Sequence, residues 1–289
     1  MRKKLSVFVA IPTMTNRITI QIAALLDALR QGSTEADSEF DLKFQIEMGK
    51  SPVEYARNVL CGAFLKTDCD KLWFIDEDML PYASVVRLIH SEADIACARM
   101  YKFDHPNPDK KVDVGLGLCA MTKAPNGMYS PLMPEVGAPA VQRCDAVGTG
   151  CTVIARRVIE DRRLWSDNVY STLDGKTIDG NVPTDDGDFA PAIFRHPRAP
   201  NGMGLVGEDI EFCERARSLG YTIEVDLNAV CGHFKSIDID QAGFLAQKTV
   251  ERVFAGLQLE DGRVLKADLK ASLTPPVDKS IHTGEVMVK

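Results

Sequence analysis

An α/β architecture, a mostly parallel sheet with helices packed against it, is predicted by three features of this sequence. Strand-like and helix-like segments alternate from Leu5 to about Met100, the pattern of a chain that crosses back between parallel strands. The apolar run Leu72, Trp73, Phe74, Ile75 leads directly into Asp76, Glu77 and Asp78, and the carboxyl ends of strands are where open α/β sheets bind ligands. At 289 residues, 45% hydrophobic and 26% charged, the chain has the composition of a globular protein able to bury one large core or two modest ones.

In chain order, short apolar runs predict strands at residues 6–12, 42–48, 72–75 and 94–98. Between them, Ile18, Ile22, Leu25, Leu26 and Leu29 recur at helical spacing over residues 18–30, and Pro52 suits the first turn of a helix over residues 53–65. Pro81 likewise suits the opening of a helix running to His90. This half reads as a Rossmann-like nucleotide-binding unit, but it lacks the Gly-x-Gly-x-x-Gly turn and the Walker Gly-Lys-Ser/Thr, which disfavours dinucleotide and P-loop chemistry. From Tyr101 to about Pro139, six prolines punctuate a loop-rich stretch: Pro106, Pro108, Pro125, Pro131, Pro134 and Pro139. Beyond it come a strand over residues 151–155, a long polar loop over 167–207, a helix over 208–219 ended by Gly220 and a strand over 222–226. The expected division is one domain over residues 1–240, with a nucleotide half to about residue 100 and a loop-rich half after it. A helix over 244–254 and a polar tail then make up residues 241–289.

Lys+Arg 34 against Asp+Glu 41 leaves a net charge of −7, which supplies no general attraction to phosphate backbones or anionic lipid. No run approaches the ~20 apolar residues of a spanning helix, and the apolar start is too short for a secretory leader, so a cytoplasmic protein is expected. The eight cysteines contain no Cys-x-x-Cys pair and sit mostly among apolar neighbours, the pattern of reduced buried thiols rather than a disulfide frame or zinc site.

Four motifs carry candidate chemistry. Strand alternation lets Asp76 and Asp78 project to one side at a strand end, where hard oxygen ligands suit Mg²⁺ or Mn²⁺ with positions left for phosphate oxygens; a solvated acidic turn is the plain alternative. Glu208 and Asp209 open a helix after a Gly-rich loop, as helix-capping carboxylates do and as a proton-abstracting carboxylate over a cleft would. His233, in the segment from Val230 to Phe234, is either an ordinary histidine or a neutral imidazole completing a carboxylate metal site. Gly148 and Gly150 flank Thr149 and permit close backbone approach. Thr184 to Asp188 forms a further acidic cluster that reads as a solvated turn.

Taken in order, Ile11-Pro12, Ala56-Arg57-Asn58, Phe74 to Asp78, Val147 to Arg156, Glu208 to Ala216 and Gly232-His233 resemble the GT-A glycosyltransferases, especially the family-2-like group. The resemblance covers most of residues 5–235 and implies a mixed, mostly parallel sheet flanked by helices, with a loop-rich acceptor half. It implies a metal-dependent glycosyltransferase, taking a sugar from a nucleoside-diphosphate-sugar to a hydroxyl on a glycan, small molecule, protein or modified DNA base. Asp76, Asp78 and His233 would hold Mn²⁺ or Mg²⁺. Pro12, Arg57, Asn58, Glu77, Gly148 and Gly150 would join the two aspartates in holding the nucleotide. In inverting members the base is the acidic pair of the late helix, here Asp209 with Glu208 beside it. The family's Gln-x-x-Arg-Trp signature is absent and no membrane helices follow, which argues against a processive polysaccharide synthase. A nucleotidyltransferase or other nucleotide-sugar enzyme on the same sheet is the alternative, although the segment after the first strand offers only Arg17 as a basic residue; a non-catalytic sugar-binding module is the third reading.

Overall fold

A computed structural model describes residues 4–15, 17–34, 40–48, 52–104, 115–135, 137–165, 168–171, 177–179, 181–183, 189–197 and 207–234. All belong to the first of two units into which the chain divides, Met1–Lys235 and Ser236–Lys289. The helix expected over residues 244–254 and the acidic turn at 184–188 lie outside the described residues.

The core is a mixed sheet that includes β1 (Leu5–Thr13), β2 (Phe40–Met48), β3 (Lys71–Ile75), β5 (Ile95–Arg99), β10 (Val141–Arg143), β12 (Cys151–Ala155) and β17 (Ile223–His233), with β4 (Met79–Pro81) paired to β17. In space the order is β10-β17-β5-β12-β3-β1-β2. Strands β2, β1, β3, β5 and β17 run one way, while β12 is antiparallel to both β3 and β5, and β10 to β17. The α/β class with a mostly parallel sheet flanked by helices is therefore the fold.

The helices form where apolar spacing and start signals coincide. Helix α2 (Val53–Leu65) begins after Pro52, whose extended backbone leaves its missing N–H without cost, and carries Glu54 in its first turn. Its apolar face buries Ala56, Leu60 and Phe64 against the sheet, with the rings of Phe64 and Phe8 edge to face at 6.0 Å. Helix α1 (Ile20–Thr34) starts two residues later and ends four later than its apolar spacing suggests. Helix α4 (Glu208–Ser218) stops before Gly220, which adopts φ 91°, the left-handed conformation that favours glycine beyond a helix end.

Several expectations need revision. The segment before His90 is a 3₁₀ helix, Ala83–His90, rather than an α-helix. The stretch expected to be loop holds β6 (Tyr101–Asp104) paired with β7 (Gly115–Leu118), and β8 (Ala120–Lys123) paired with β9 (Tyr129–Pro131) and with β11 (Ala146–Val147). The long polar loop contains two hairpins: β13 (Asn168–Ser171) with β14 (Thr177–Asp179), and β15 (Asn181–Pro183) with β16 (Phe189–Pro191). Strand β17 passes its expected end at Asp226, shifts register there and re-pairs at Val230, and so carries His233 as its last residue. Such a shift re-aims the side chains beyond it.

Candidate functional site

The candidate residues converge at the carboxyl ends of β1, β3, β5 and β17. Asp76 follows the last residue of β3, and its N–H donates to the Gly150 carbonyl at 2.8 Å, which extends the β3–β12 pairing one step. A Cβ placed on Gly150 would lie 2.8 Å from Met79 Cε and 3.3 Å from Asp76 Oδ2. A side chain here would press on the Asp76 carboxylate and displace the end of Met79.

Arg57 of α2 is the hub. Its Nη2 donates to both oxygens of Asp76, at 3.1 and 2.9 Å, and its Nη1 donates to Glu208 Oε1 at the start of α4. The Arg57 residue is 3% exposed. Burial opposes its charge, but Asp76, Glu208 and Asp209 outweigh that and hold the guanidinium charged. Burial also pushes the Asp76 carboxyl above its ordinary value, against the pull of Arg57. For Asp209 burial is again the largest cause of an upward shift, and the neighbouring Glu208 charge adds to it. Asp209 Oδ1 accepts the Ile210 N–H at 2.7 Å, while Oδ2 lies 3.8 Å from where a side chain on Gly148 would begin.

The metal set expected from the sequence is not assembled as three ligands. Asp76 is taken up by Arg57, whereas Asp78 meets His233, with Nε2 2.9 Å from Oδ2. Among the described residues no group of three or more His, Cys, Asp or Glu side chains is arranged to hold a metal. The bonds at the two ends differ because the turn after β3 sends Asp76 toward α2 and Asp78 toward β17, whose His233 pairs with Met79 of β4. The Phe234 N–H donates to the Asp78 carbonyl at 2.7 Å and holds these segments together.

Three further candidates take structural positions. Glu77 turns the other way: one oxygen accepts from the Thr13 hydroxyl and from the Thr15 N–H and hydroxyl, at 3.1 and 2.7 Å for Thr15. Burial raises its pKa, but these donors outweigh it and bring the carboxyl below its usual range. Asn58 is fully buried; its Nδ2 donates to the Phe194 carbonyl at 2.8 Å and its Oδ1 accepts the N–H groups of Ile193 and Phe194. It pins the segment after β16, whose Phe194 ring packs against Phe74 and Phe212 at 5.6 and 4.7 Å. Pro12 is buried in β1 opposite Glu47 of β2, beyond the last β1–β3 pair at Ala10 and Phe74.

Sequence reasoning missed His196. Its Nε2 lies 3.2 Å from Glu208 Oε2 and 3.3 Å from Glu54 Oε2, so one imidazole stands between the starts of α2 and α4. The Glu54 contact is close without hydrogen-bond alignment, so its attraction depends on imidazole charge. A lone histidine beside Pro197 carries no spacing signal that would have singled it out. The eight cysteines are free thiols and, except for the half-buried Cys119, are buried.

No protein-family model matches the chain, and no curated protein matches it. Among solved structures it is similar to A197 from STIV, at 16% identity over 80% of this chain and 86% of that one, with a TM-score of 0.43. It is also similar to the inositol-1-phosphate CTP transferase from T. maritima, at 11% identity over 88% and 79% of the two chains, with a TM-score of 0.36. GalNAc-T7, solved with UDP, GalNAc and Mn²⁺, shares 12% identity over 82% of this chain and 45% of its own, with a TM-score of 0.41. Likeness at this level carries no functional assignment.

Proposed function

We propose that the chain is a metal-dependent glycosyltransferase that moves a sugar from a nucleoside-diphosphate donor to a hydroxyl acceptor with inversion. The observation that carries this reading is the bridge from Asp76 through Arg57 to Glu208. It joins the strand end read as the donor half to the helix start read as the acceptor half.

Asp78 and His233 suit a divalent cation. Their 2.9 Å separation is near the spacing of two adjacent ligands on an octahedral ion with bonds of about 2.1 Å. A carboxylate and an imidazole fit Mn²⁺, and two protein ligands leave positions for phosphate oxygens and water. When bound, the ion supplies Lewis-acid stabilisation of the departing diphosphate. Asp76, held by Arg57, has a positioning role in this scheme.

Asp209 is the base. Burial and Glu208 raise its proton affinity, which suits proton abstraction better than an ordinary surface carboxylate would. The acceptor oxygen forms a bond to the anomeric carbon as the bond from that carbon to the diphosphate oxygen breaks. The hydroxyl proton goes to Asp209 and the nucleoside diphosphate leaves.

The test is incubation with UDP-, GDP- and TDP-sugars and Mn²⁺, read first as nucleoside diphosphate released by slow hydrolysis without acceptor. Release that depends on Mn²⁺ and falls in Asp78→Asn is expected. Pyrophosphate release from a nucleoside triphosphate and a sugar phosphate would replace the proposal with nucleotidyl transfer. A product with the donor's anomeric configuration would remove the inverting role of Asp209.

A further inference from the structure

Arg99, the last residue of β5, is a charged group in this region that the scheme above leaves unused. Its Nε is buried without a hydrogen-bond partner, and among the described residues no ion pair or hydrogen bond satisfies the guanidinium. Arginines on the helices beside the sheet are paired: Arg87 with Asp226 at 2.9 Å and Arg157 with Asp94, for example. A donor kept from water without an acceptor destabilises the fold unless a ligand supplies one.

The strand register locates Arg99. Thr152 of β12 pairs with Cys97 of β5, and the Thr152 hydroxyl and Cys97 thiol both reach the Gly148 carbonyl, at 2.8 and 3.6 Å. Arg99 is two residues beyond Cys97 and so shares that face. Asp76 stands on the same face, with Oδ2 3.3 Å from the Cβ position of Gly150. Asp76, Gly150 and Arg99 thus form a row across β3, β12 and β5, and at about 4.8 Å per strand the backbones at its two ends are about 10 Å apart. Gly150 in the middle contributes no side chain, and Gly148 beside it borders Asp209. Asp76 stands at one end of this row and Arg99, unpaired among the described residues, at the other.

We propose that Arg99 is an anion-binding residue of this site and that it takes a phosphate group of the substrate. A planar fork of donors fits phosphate oxygens two at a time. The donor's diphosphate and a phosphate carried by the acceptor share this chemistry. The ligand class rests on the transferase reading, but the measurement does not.

The experiment is calorimetry on the full chain with inorganic phosphate and pyrophosphate, then with UDP and GDP, for the wild type, Arg99→Gln and Arg99→Lys. Thermal unfolding of each variant is measured alongside. The wild type is expected to bind pyrophosphate, and Arg99→Gln to bind it at least about tenfold more weakly, the scale of one charged hydrogen bond. Arg99→Lys keeps the charge but not the fork and should fall between them. If Arg99→Gln does not fold, weaker binding by Arg99→Lys supports the proposal and equal binding overturns it. UDP and GDP weakening in parallel with pyrophosphate identifies the donor's diphosphate. Unchanged UDP and GDP with weakened inorganic phosphate identifies the acceptor. A wild type that binds neither inorganic probe, or equal affinity in wild type and Arg99→Gln, overturns the proposal. Arg99-dependent phosphate binding without sugar transfer would instead remove the transferase reading alone.

Discussion

Asp76 and Asp78 are separated by one residue yet belong to different physical regimes. Asp76 has both oxygens on Arg57, and the two side chains are 23% and 4% exposed; Arg57 in turn reaches Glu208, which His196 links to Glu54. Asp78 meets the His233 imidazole in a more open setting, with side-chain exposures of 34% for Asp78 and 18% for His233. A buried charge network is costly to break because each partner removed strands another charge, whereas a half-exposed pair can exchange one partner for water or a cation at small cost. In the proposed scheme Asp76 is scaffold and Asp78 the exchangeable ligand.

Six substitutions break or sharpen this contrast. Asp209→Asn should have the largest effect on activity, about 10²- to 10⁴-fold in turnover, with donor affinity little changed in calorimetry. Glu211→Gln is the control for turnover: Glu211 is spent on Arg195 and Arg215, so its loss should act on stability and leave the chemical step largely intact.

Arg57→Met should have the largest effect on stability. It leaves Asp76 and Glu208 as buried carboxylates without their shared cation, a loss of about 3–5 kcal/mol in urea unfolding. An equally stable Arg57→Met would show that this side of the cleft is not a scaffold.

His196→Ala should cost about 1–3 kcal/mol, because it removes the group that faces both Glu54 and Glu208. The same variant with Glu54→Gln should cost less than the two single losses added, which a double-mutant cycle reads directly.

His233→Ala should change stability by less than about 1 kcal/mol, yet abolish the Mn²⁺ dependence of UDP or GDP binding. A large loss of stability with unchanged Mn²⁺ response would reverse the assignment of the exchangeable side.

The pH dependence gives the smallest signal. Asp209 has a raised folded-state value, so its ionisation opposes folding; its contribution grows more favourable as pH falls through that value toward the ordinary 3.8, and is lost as pH rises. Asp209→Asn keeps the acceptor oxygen for the Ile210 N–H and removes the charge. Its melting temperature should therefore equal or exceed that of the wild type near neutrality, with the difference shrinking on acidification. A variant less stable than the wild type at neutral pH, with the gap unchanged in acid, would show that burial of the charge is not what governs this group.

Much of the fold was legible locally. Helix α2 and strand β12 occupy the residues that apolar spacing, a preceding proline and flanking glycines indicate. Strands β6 to β9 were not legible, because each is three or four residues long, and their pairing rather than their composition makes them strands. The direction of β12 was equally hidden: a buried strand reads alike in either orientation, and only its register with β3 and β5 shows that it runs against both.

The sequence by itself determined the α/β class, the strand that ends just before Asp76, the glycines at the turn before β12 and the acidic start of α4, since each follows from short-range periodicity and backbone preference. Only the tertiary structure decided which charges meet. Arg57 and Glu208 are 151 positions apart, and His233 and Asp78 are 155 apart. Side-chain spacing along a strand could suggest that Asp76 and Asp78 act together, but it could not show that a buried guanidinium holds one and an imidazole meets the other. That choice is made by the packing of α2, α4 and β17 at one end of the sheet, where burial makes every unpaired charge expensive and so selects the partners.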